Sequence, residues 1–250
     1  MSDLLNVLQS LRSIHGDFAD REVTDEDLDR ILEASVCAAN ASNRQSYSIV
    51  VLRDGEKMQQ LVAYRAPVAL IYLADLNRSL DVSRHLGHAF AVRGFPMLIS
   101  SLVDACLAAQ TAAIAAKALG IDSLFTNGLH RGPMARIREI LALPEKHVFP
   151  VVGLLLGYPA TEPSQRRGRL TGPGVIHREA YRRVTPEEAD EIVRAHDDPA
   201  CGLDMERPWR DEGYAHFLDW FYTVWSNRMP AIEGKSQVLQ WIEDAGFFEE

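Results

Sequence analysis

Leu4, Leu5, Leu8 and Leu11 recur at helical spacing and predict an amphipathic helix over residues 3–14. Thr24 followed by Asp27 resembles a capping box, and the apolar stripe Leu28, Ile31 and Leu32 carries a second helix to about Ala39. Ser48 to Leu52 is β-branched and apolar and meets the turn signal Arg53-Asp54-Gly55, which predicts a strand. Pro67 to Leu73 reads as a second, buried strand ending at Ala74-Asp75. Residues 76–97 hold His85, Gly87, His88, Arg93, Gly94 and Pro96 and suit an irregular loop or a short helix. Leu98 to Leu119 is an Ala-rich helical run closed by Gly120, followed by a short strand from Ile121 to Thr126. Met134 to Leu141 is helical, and Val148 to Leu156 is a strongly apolar strand stopped by Gly157-Tyr158-Pro159.

From Ala160 to Pro173 the chain turns polar and arginine-rich, as an extended segment. Thr185-Pro186-Glu187-Glu188 then starts a helix with a cap, a first-turn proline and acids near the positive end. Two more helical patterns lie near 213–227 and 235–245, and Trp209, Trp220, Trp225 and Trp241 all fall in this last third. The alternation of strands and helices predicts an α/β or α+β layered domain over residues 1–184, with a helical C-terminal extension over 185–250 packed on the domain or on a partner subunit.

Composition narrows the function classes. Of 250 residues, 47% are hydrophobic and 24% charged, as in ordinary globular proteins, so disorder and disulfide-stapled scaffolds are not expected. The net charge of -9 gives no basic face for nucleic acid or anionic lipid. The apolar run at 98–119 is interrupted by Asp104, Gln110 and Lys117, so a buried core helix is expected rather than a membrane span. Its small residues, Ala105, Ala108, Ala109, Ala112, Ala113 and Ala116, allow close backbone approach, as at the centre of a fold or at a dimer interface. Met1-Ser2-Asp3-Leu4 has no basic region, so no secretory signal is expected. Cys37, Cys106 and Cys201 are far apart and read as reduced thiols of a cytoplasmic protein. The eight histidines show no metal-ligand spacing, and no metal site is expected.

Three polar segments stand out. They are Arg12-Ser13-Ile14-His15 at the end of the first helix, Asn40-Ala41-Ser42-Asn43-Arg44-Gln45-Ser46-Tyr47 between a helix and a strand, and Arg166-Arg167-Gly168-Arg169-Leu170 beyond Gly157-Tyr158-Pro159-Ala160. Taken singly these are a helix end, a turn-forming loop and a solvated charge run. In this order and at these spacings, with Ala66-Pro67-Val68-Ala69-Leu70-Ile71, Leu119-Gly120-Ile121-Asp122-Ser123 and Asn127-Gly128 between them, the chain resembles the nitroreductase family of FMN-dependent oxidoreductases.

That resemblance covers about residues 8–183 and implies an α+β nitroreductase-like fold, a mixed sheet flanked by helices. It further implies FMN as cofactor, NADH or NADPH as reductant, and a homodimer with two FMN sites across the interface. Arg12, Ser13, Arg167 and Arg169 would surround the FMN phosphate, which suits a dianion. His15 would reach the ring edge where relatives carry Arg or Lys. Asn43 and Gln45 would give amide contacts to the isoalloxazine and its surroundings, with Asn43 coming from the neighbouring chain, and Asn40, Ala41 and Ser42 would also belong to the cofactor site. The backbone at Asn127 and Gly128 would approach the reactive N5 side. No protein acid, base or nucleophile is expected, because the flavin carries the chemistry.

The expected activity is ping-pong reduction of nitroaromatics, quinones or similar oxidants. The alternatives are a specialised reaction on the same fold, such as reductive dehalogenation or flavin cleavage, and a flavin-binding protein without turnover. The chain departs from the family pattern at Leu11, His15, Ala39, Asn40, Ser46-Tyr47 and Asn127, and has one extra residue between Ser13 and Phe18.

Overall fold

Strand burial explains the centre of the molecule. Val68–Asp75 is buried at every position but the last, and Val148–Gly157 at every position but Val152, as expected of strands covered on both faces. The computed structural model describes residues 3–163, 167–204, 208–228 and 234–248. Its sheet consists of β1 (Tyr47–Leu52), β2 (Val68–Asp75), β3 (Asp122–Thr126) and β4 (Val148–Gly157), in the order β1-β2-β4-β3. All three strand pairings are antiparallel. The expected mixed character reduces, among the described residues, to one parallel bridge between Ser13 and Ser123.

The chain divides into two compact units, residues 1–162 with 234–250, and residues 163–233. Residues 234–250 return to the sheet unit. Trp241 in α9 (Gln237–Asp244) donates its indole N–H to the Val148 carbonyl at 2.9 Å, which fixes that return.

In the sheet unit, α1 (Asp3–Ser10) is shorter than expected, because the residues after it leave the helix to bridge to β3. Helix α2 (Asp25–Val36) begins at the Thr24 cap, whose hydroxyl accepts from Asp27 N–H at 3.1 Å. Helix α3 (Gly55–Val62) is capped by Asp54, where the sequence suggests only a turn. Helix α4 (Asn77–His85) occupies the first half of the ambiguous stretch. Helix α5 (Gly94–Ala118) begins four residues earlier than its apolar run suggests, with Pro96 in its first turn, where a missing N–H costs nothing. Helix α6 (Met134–Leu141) is found where expected.

Helix α5 is long and apolar enough to cross a bilayer by length and composition. Its alanine face is nevertheless buried between α2 and the sheet, and that packing makes it the central core helix. The opposite face shows Phe95, Ile99, Val103 and Leu107, spaced by four residues and all exposed.

In the second unit, α7 (Pro186–Asp197) begins with the complete capping box of Thr185 and Glu188. Helix α8 (Phe217–Trp220) continues as a π-helical turn over Phe221–Trp225. Trp209, Phe217 and Trp220 form a small core of their own. Asp197 ties the two helices, accepting from Phe217 N–H at 2.8 Å and pairing with His216 Nδ1 at 2.6 Å, which raises the histidine pKa.

Candidate functional site

The loop leading into β1 is the most unusual backbone in the sheet unit. Ser42, Asn43 and Gln45 have φ of 55°, 55° and 52°, in the left-handed region that favours glycine. Such residues cost of order 1–3 kcal/mol each and persist only where the surroundings hold them. Here Asp104, buried on α5, accepts from Ala41 N–H at 2.8 Å and from Ser46 N–H at 3.2 Å. Asn40 Oδ1 accepts from Gln45 N–H at 3.2 Å, and Gln45 Nε2 donates to Asn43 Oδ1 at 3.2 Å. Arg78 donates to the Gln45 carbonyl. Ser42, Asn43 and Gln45 therefore stay exposed on a fixed frame. The Ala41 N–H and Asn40 Oδ1 are committed to holding that frame. Arg44 Nε and Ser46 Oγ are buried with no hydrogen-bond partner in the structure.

A second cluster forms where Arg12-Ser13-Ile14 meets the start of β3. Ile14 N–H donates to the Ser123 carbonyl at 3.0 Å, which leaves Ser13 and His15 exposed. Arg12 Nε and Nη2 both donate to Asp122 Oδ2, at 3.0 and 2.6 Å, and Nη1 donates to Glu162 at 2.7 Å. Lys117 Nζ meets the other Asp122 oxygen at 2.6 Å. Burial alone would push the Asp122 carboxyl up, but the bonds from Arg12 and Lys117 outweigh it and hold the carboxyl below its ordinary range. The Glu162 and Asp122 bonds in turn raise the Arg12 pKa. Arg12 is thus already bound by two carboxylates, which the family resemblance does not suggest.

Asn127 and Gly128 follow the end of β3. A Cβ on Gly128 would lie 2.8 Å from the Val62 carbonyl, so glycine is required there by the close packing of α3. That is a packing reason, where the sequence offers only approach to a cofactor.

The strand register places these segments. Ser123 pairs with Leu156, and Leu156 with Val68, so Arg12-Ser13 sits at one end of edge strand β3. Tyr47 pairs with Ala74, and Ala74 with Phe149, so the 40–46 loop sits at the other end of the opposite edge strand β1. From Leu156 to Phe149 is roughly 23 Å along the strands, and three strand spacings add about 14 Å across. The two segments therefore occupy opposite corners of one sheet. Asn127-Gly128, by contrast, shares the β3 edge with Ser13, roughly 13 Å further along.

In the second unit, Arg167 and Arg169 are exposed on the extended segment. Gly168 N–H donates to the Gly202 carbonyl at 2.9 Å, and a Cβ on Gly168 would fall 1.7 Å from the Cys201 carbonyl oxygen, so only glycine fits. Arg169 Nη1 donates to the Gly168 carbonyl at 2.8 Å. Arg166 lies outside the described residues. No cluster of three or more His, Cys, Asp or Glu side chains suited to a metal occurs among the described residues.

Asp104, Asp122, Lys117 and Arg78 organise these segments, and none of them stands out as a site residue in the sequence. The available signal was the pair of charges, Asp104 and Lys117, inside an otherwise apolar helix.

An antiparallel four-stranded sheet with a buried Ala-rich helix behind it and further C-terminal helices defines the nitroreductase-like α+β class of oxidoreductases. The model of the nitroreductase family matches residues 8–158, and the chain belongs to that family. It is similar to an FMN reductase [NAD(P)H] of Bacillus subtilis, 32% identical over 209 residues, covering 79% of this chain and 81% of the relative. It is also similar to an oxygen-insensitive NADPH nitroreductase of Salmonella typhimurium, 31% identical over 191 residues, covering 72% and 75%. Among solved structures, NfrA2 of B. megaterium superposes with a TM-score of 0.78 at 28% identity over the whole of both chains.

Proposed function

We propose that this chain is an FMN-dependent NAD(P)H oxidoreductase that reduces nitroaromatics, quinones or similar oxidants, working as a homodimer with two composite sites. The observation that carries this reading is the corner geometry. One edge of the sheet spaces a hydroxyl-bearing segment and a close-packed backbone turn, Ser13 and Asn127-Gly128, by roughly the length of an extended cofactor. The amide-rich loop lies at the corner opposite Ser13, roughly 23 Å along the strands and about 14 Å across, and a second copy of the chain would bring its own loop to the cofactor.

The residues suit FMN chemically. Asn43 and Gln45 offer amide donors and acceptors to a heteroaromatic edge, and Arg44 Nε and Ser46 Oγ are buried polar atoms lacking partners. FMN, when bound, supplies reversible hydride transfer. Ser13 would offer its hydroxyl to the phosphate, and the exposed Arg167 and Arg169 are cations of the kind that a dianion calls for. Arg12 holds the segment to Asp122, and so positions Ser13 rather than contacting the phosphate with a free guanidinium. The exposed faces of Ser42, Asn43 and Gln45 leave room for reductant and oxidant to occupy one place in turn, in a ping-pong cycle. Cys37, Cys106 and Cys201 are free and exposed, in keeping with the reducing cytoplasm.

The test is a visible spectrum of the purified protein with FMN, followed by anaerobic NADPH or NADH. Flavin absorbance that bleaches on reductant and returns on a nitroaromatic or quinone supports the enzyme. A bound flavin that no nicotinamide bleaches would leave a binding protein without turnover. The arginines have their own test. Charge-assisted contacts to a dianion contribute about 1.5–3 kcal/mol each. Arg167→Ala with Arg169→Ala is therefore expected to weaken FMN binding at least tenfold, with high salt reproducing part of the loss. Unchanged affinity in the double variant would return the segment to a solvated charge run.

A further inference from the structure

We propose that Asp104 is the positioning residue of the flavin loop, the group through which the core helix sets the conformation of residues 40–46. This rests on the reading that the loop contacts FMN, and goes beyond it by naming what holds the loop ready.

The case begins with a mismatch. Residues 40–46, Asn-Ala-Ser-Asn-Arg-Gln-Ser, contain no glycine, yet three of them adopt positive φ. Asparagine tolerates that region, whereas Ser42 and Gln45 gain nothing from it locally, so the conformation has to be imposed from outside. Asp104 is the only group on the core helix that hydrogen-bonds the loop among the described residues. It lies 1% exposed, and its two oxygens take one N–H from each end of the strained stretch, Ala41 on one side and Ser46 on the other. Both ends are thereby held at one point of α5 while Ser42, Asn43 and Gln45 between them are exposed.

The residue type matters. Two converging backbone donors need two acceptors on one rigid planar group, which a carboxylate has and a carboxamide lacks. In Asp104→Asn the amide N–H₂ would face one of those N–H groups, so that one clamp point opens while volume and burial stay the same. Arg78 bonds the Gln45 carbonyl, on the same peptide group whose Ser46 N–H meets Asp104, and so braces that end without reaching Ala41.

The experiment compares Asp104→Asn with Ser35→Ala. Ser35 of α2 is buried, donates to the Ala108 carbonyl of α5 at 3.0 Å and meets Tyr72 Oη at 2.9 Å, and neither bond goes to the loop. Two readouts are taken on the full-length protein, amide hydrogen exchange at Ala41 and Ser46, and FMN affinity. In the wild type, Ala41 and Ser46 are expected to exchange at least tenfold more slowly than the exposed loop amides. In Asp104→Asn at least one of the two, the amide that faces the carboxamide nitrogen, is expected to speed up at least tenfold and FMN binding to weaken at least tenfold. Ser35→Ala is expected to lower the melting temperature without either change.

Wild-type Ala41 and Ser46 amides exchanging as fast as the exposed loop amides would overturn the proposal without any variant, so a poorly folding Asp104→Asn does not protect it. Asp104→Asn matching Ser35→Ala in both readouts would overturn it too. A wild-type protein that binds no FMN would instead sink the flavin reading, and the exchange data would still decide whether Asp104 sets the loop.

Discussion

Asp122→Asn is expected to lower the melting temperature by roughly 6–12 °C at pH 7, and the gap from wild type is expected to close as the pH falls toward 3. Asp122 is 4% exposed and answers two cations, Arg12 through Nε and Nη2, and Lys117 through Nζ. Removing the charged partner of such a cluster leaves buried positive charge uncompensated, at a cost of about 3–5 kcal/mol when the site is fully enclosed. Arg12 and Lys117 keep some access to water, so the lower end applies, and in a chain of this size each kcal/mol moves the midpoint by roughly 2–4 °C. The pH dependence follows from the direction of the shift. The folded carboxyl titrates below its ordinary value, so its stabilisation is present above that ordinary value and disappears as the pH drops through the lower folded one. Once protonated, the aspartic acid resembles the asparagine, and the two proteins converge. Thermal melts of both at pH 7 and pH 3 check this. A gap of equal size at both values would mean that Asp122 acts through packing and not through charge.

Much of the scaffold is legible along the chain. Helix α6, the two buried strands β2 and β4 and the Thr185 cap of α7 lie where period and capping chemistry put them, because each is decided by its own residues. Helix α3 is different. Gly55 at its first position and a thin apolar set, Met58, Leu61 and Val62, make it resemble a turn, and it forms because Asp54 accepts from Glu56 and Lys57 N–H and those three side chains find the core. The end of α1 is likewise decided at a distance, by pairing of Ser13 with Ser123.

The site divides in the same way. The polar segments are visible as runs of residue types, and their order is what carries the resemblance to the family. The groups that hold them are not visible, because Asp104 meets Ala41 across 63 residues and Asp122 meets Arg12 across 110. Arg12 shows the consequence. As a residue type it suggests a phosphate ligand, and its contacts show that it also braces the segment that carries Ser13.

Val103→Glu is expected to convert a dimer into a monomer and to abolish FMN retention with it. Phe95, Ile99, Val103 and Leu107 form a four-residue-spaced apolar stripe about 18 Å long on the outer face of α5, and Phe248 stacks on Phe95 at 5.4 Å to widen it. Side chains of this kind in a contiguous row are what an interface core contains, and Val103, 51% exposed, stands near the middle of the row. In a two-fold dimer every substitution enters the interface twice. Burying a carboxylate without a partner costs several kcal/mol, so two of them at about 3 kcal/mol each would weaken the dimer by roughly four powers of ten. The monomer itself should fold normally, since a solvent-facing helical position tolerates glutamate. Sedimentation at micromolar concentration is expected to give twice the 27.9 kDa chain mass for the wild type and the single mass for the variant, with unchanged far-ultraviolet circular dichroism. The flavin readout then tests the corner geometry separately. Because Ser13 and the loop carrying Asn43 lie at opposite corners of one sheet, a monomer would hold only half of each site on this reading. A Val103→Glu protein still at the dimer mass would place the interface elsewhere than on α5. A true monomer that binds FMN as tightly as the wild type would show that a single chain completes the site.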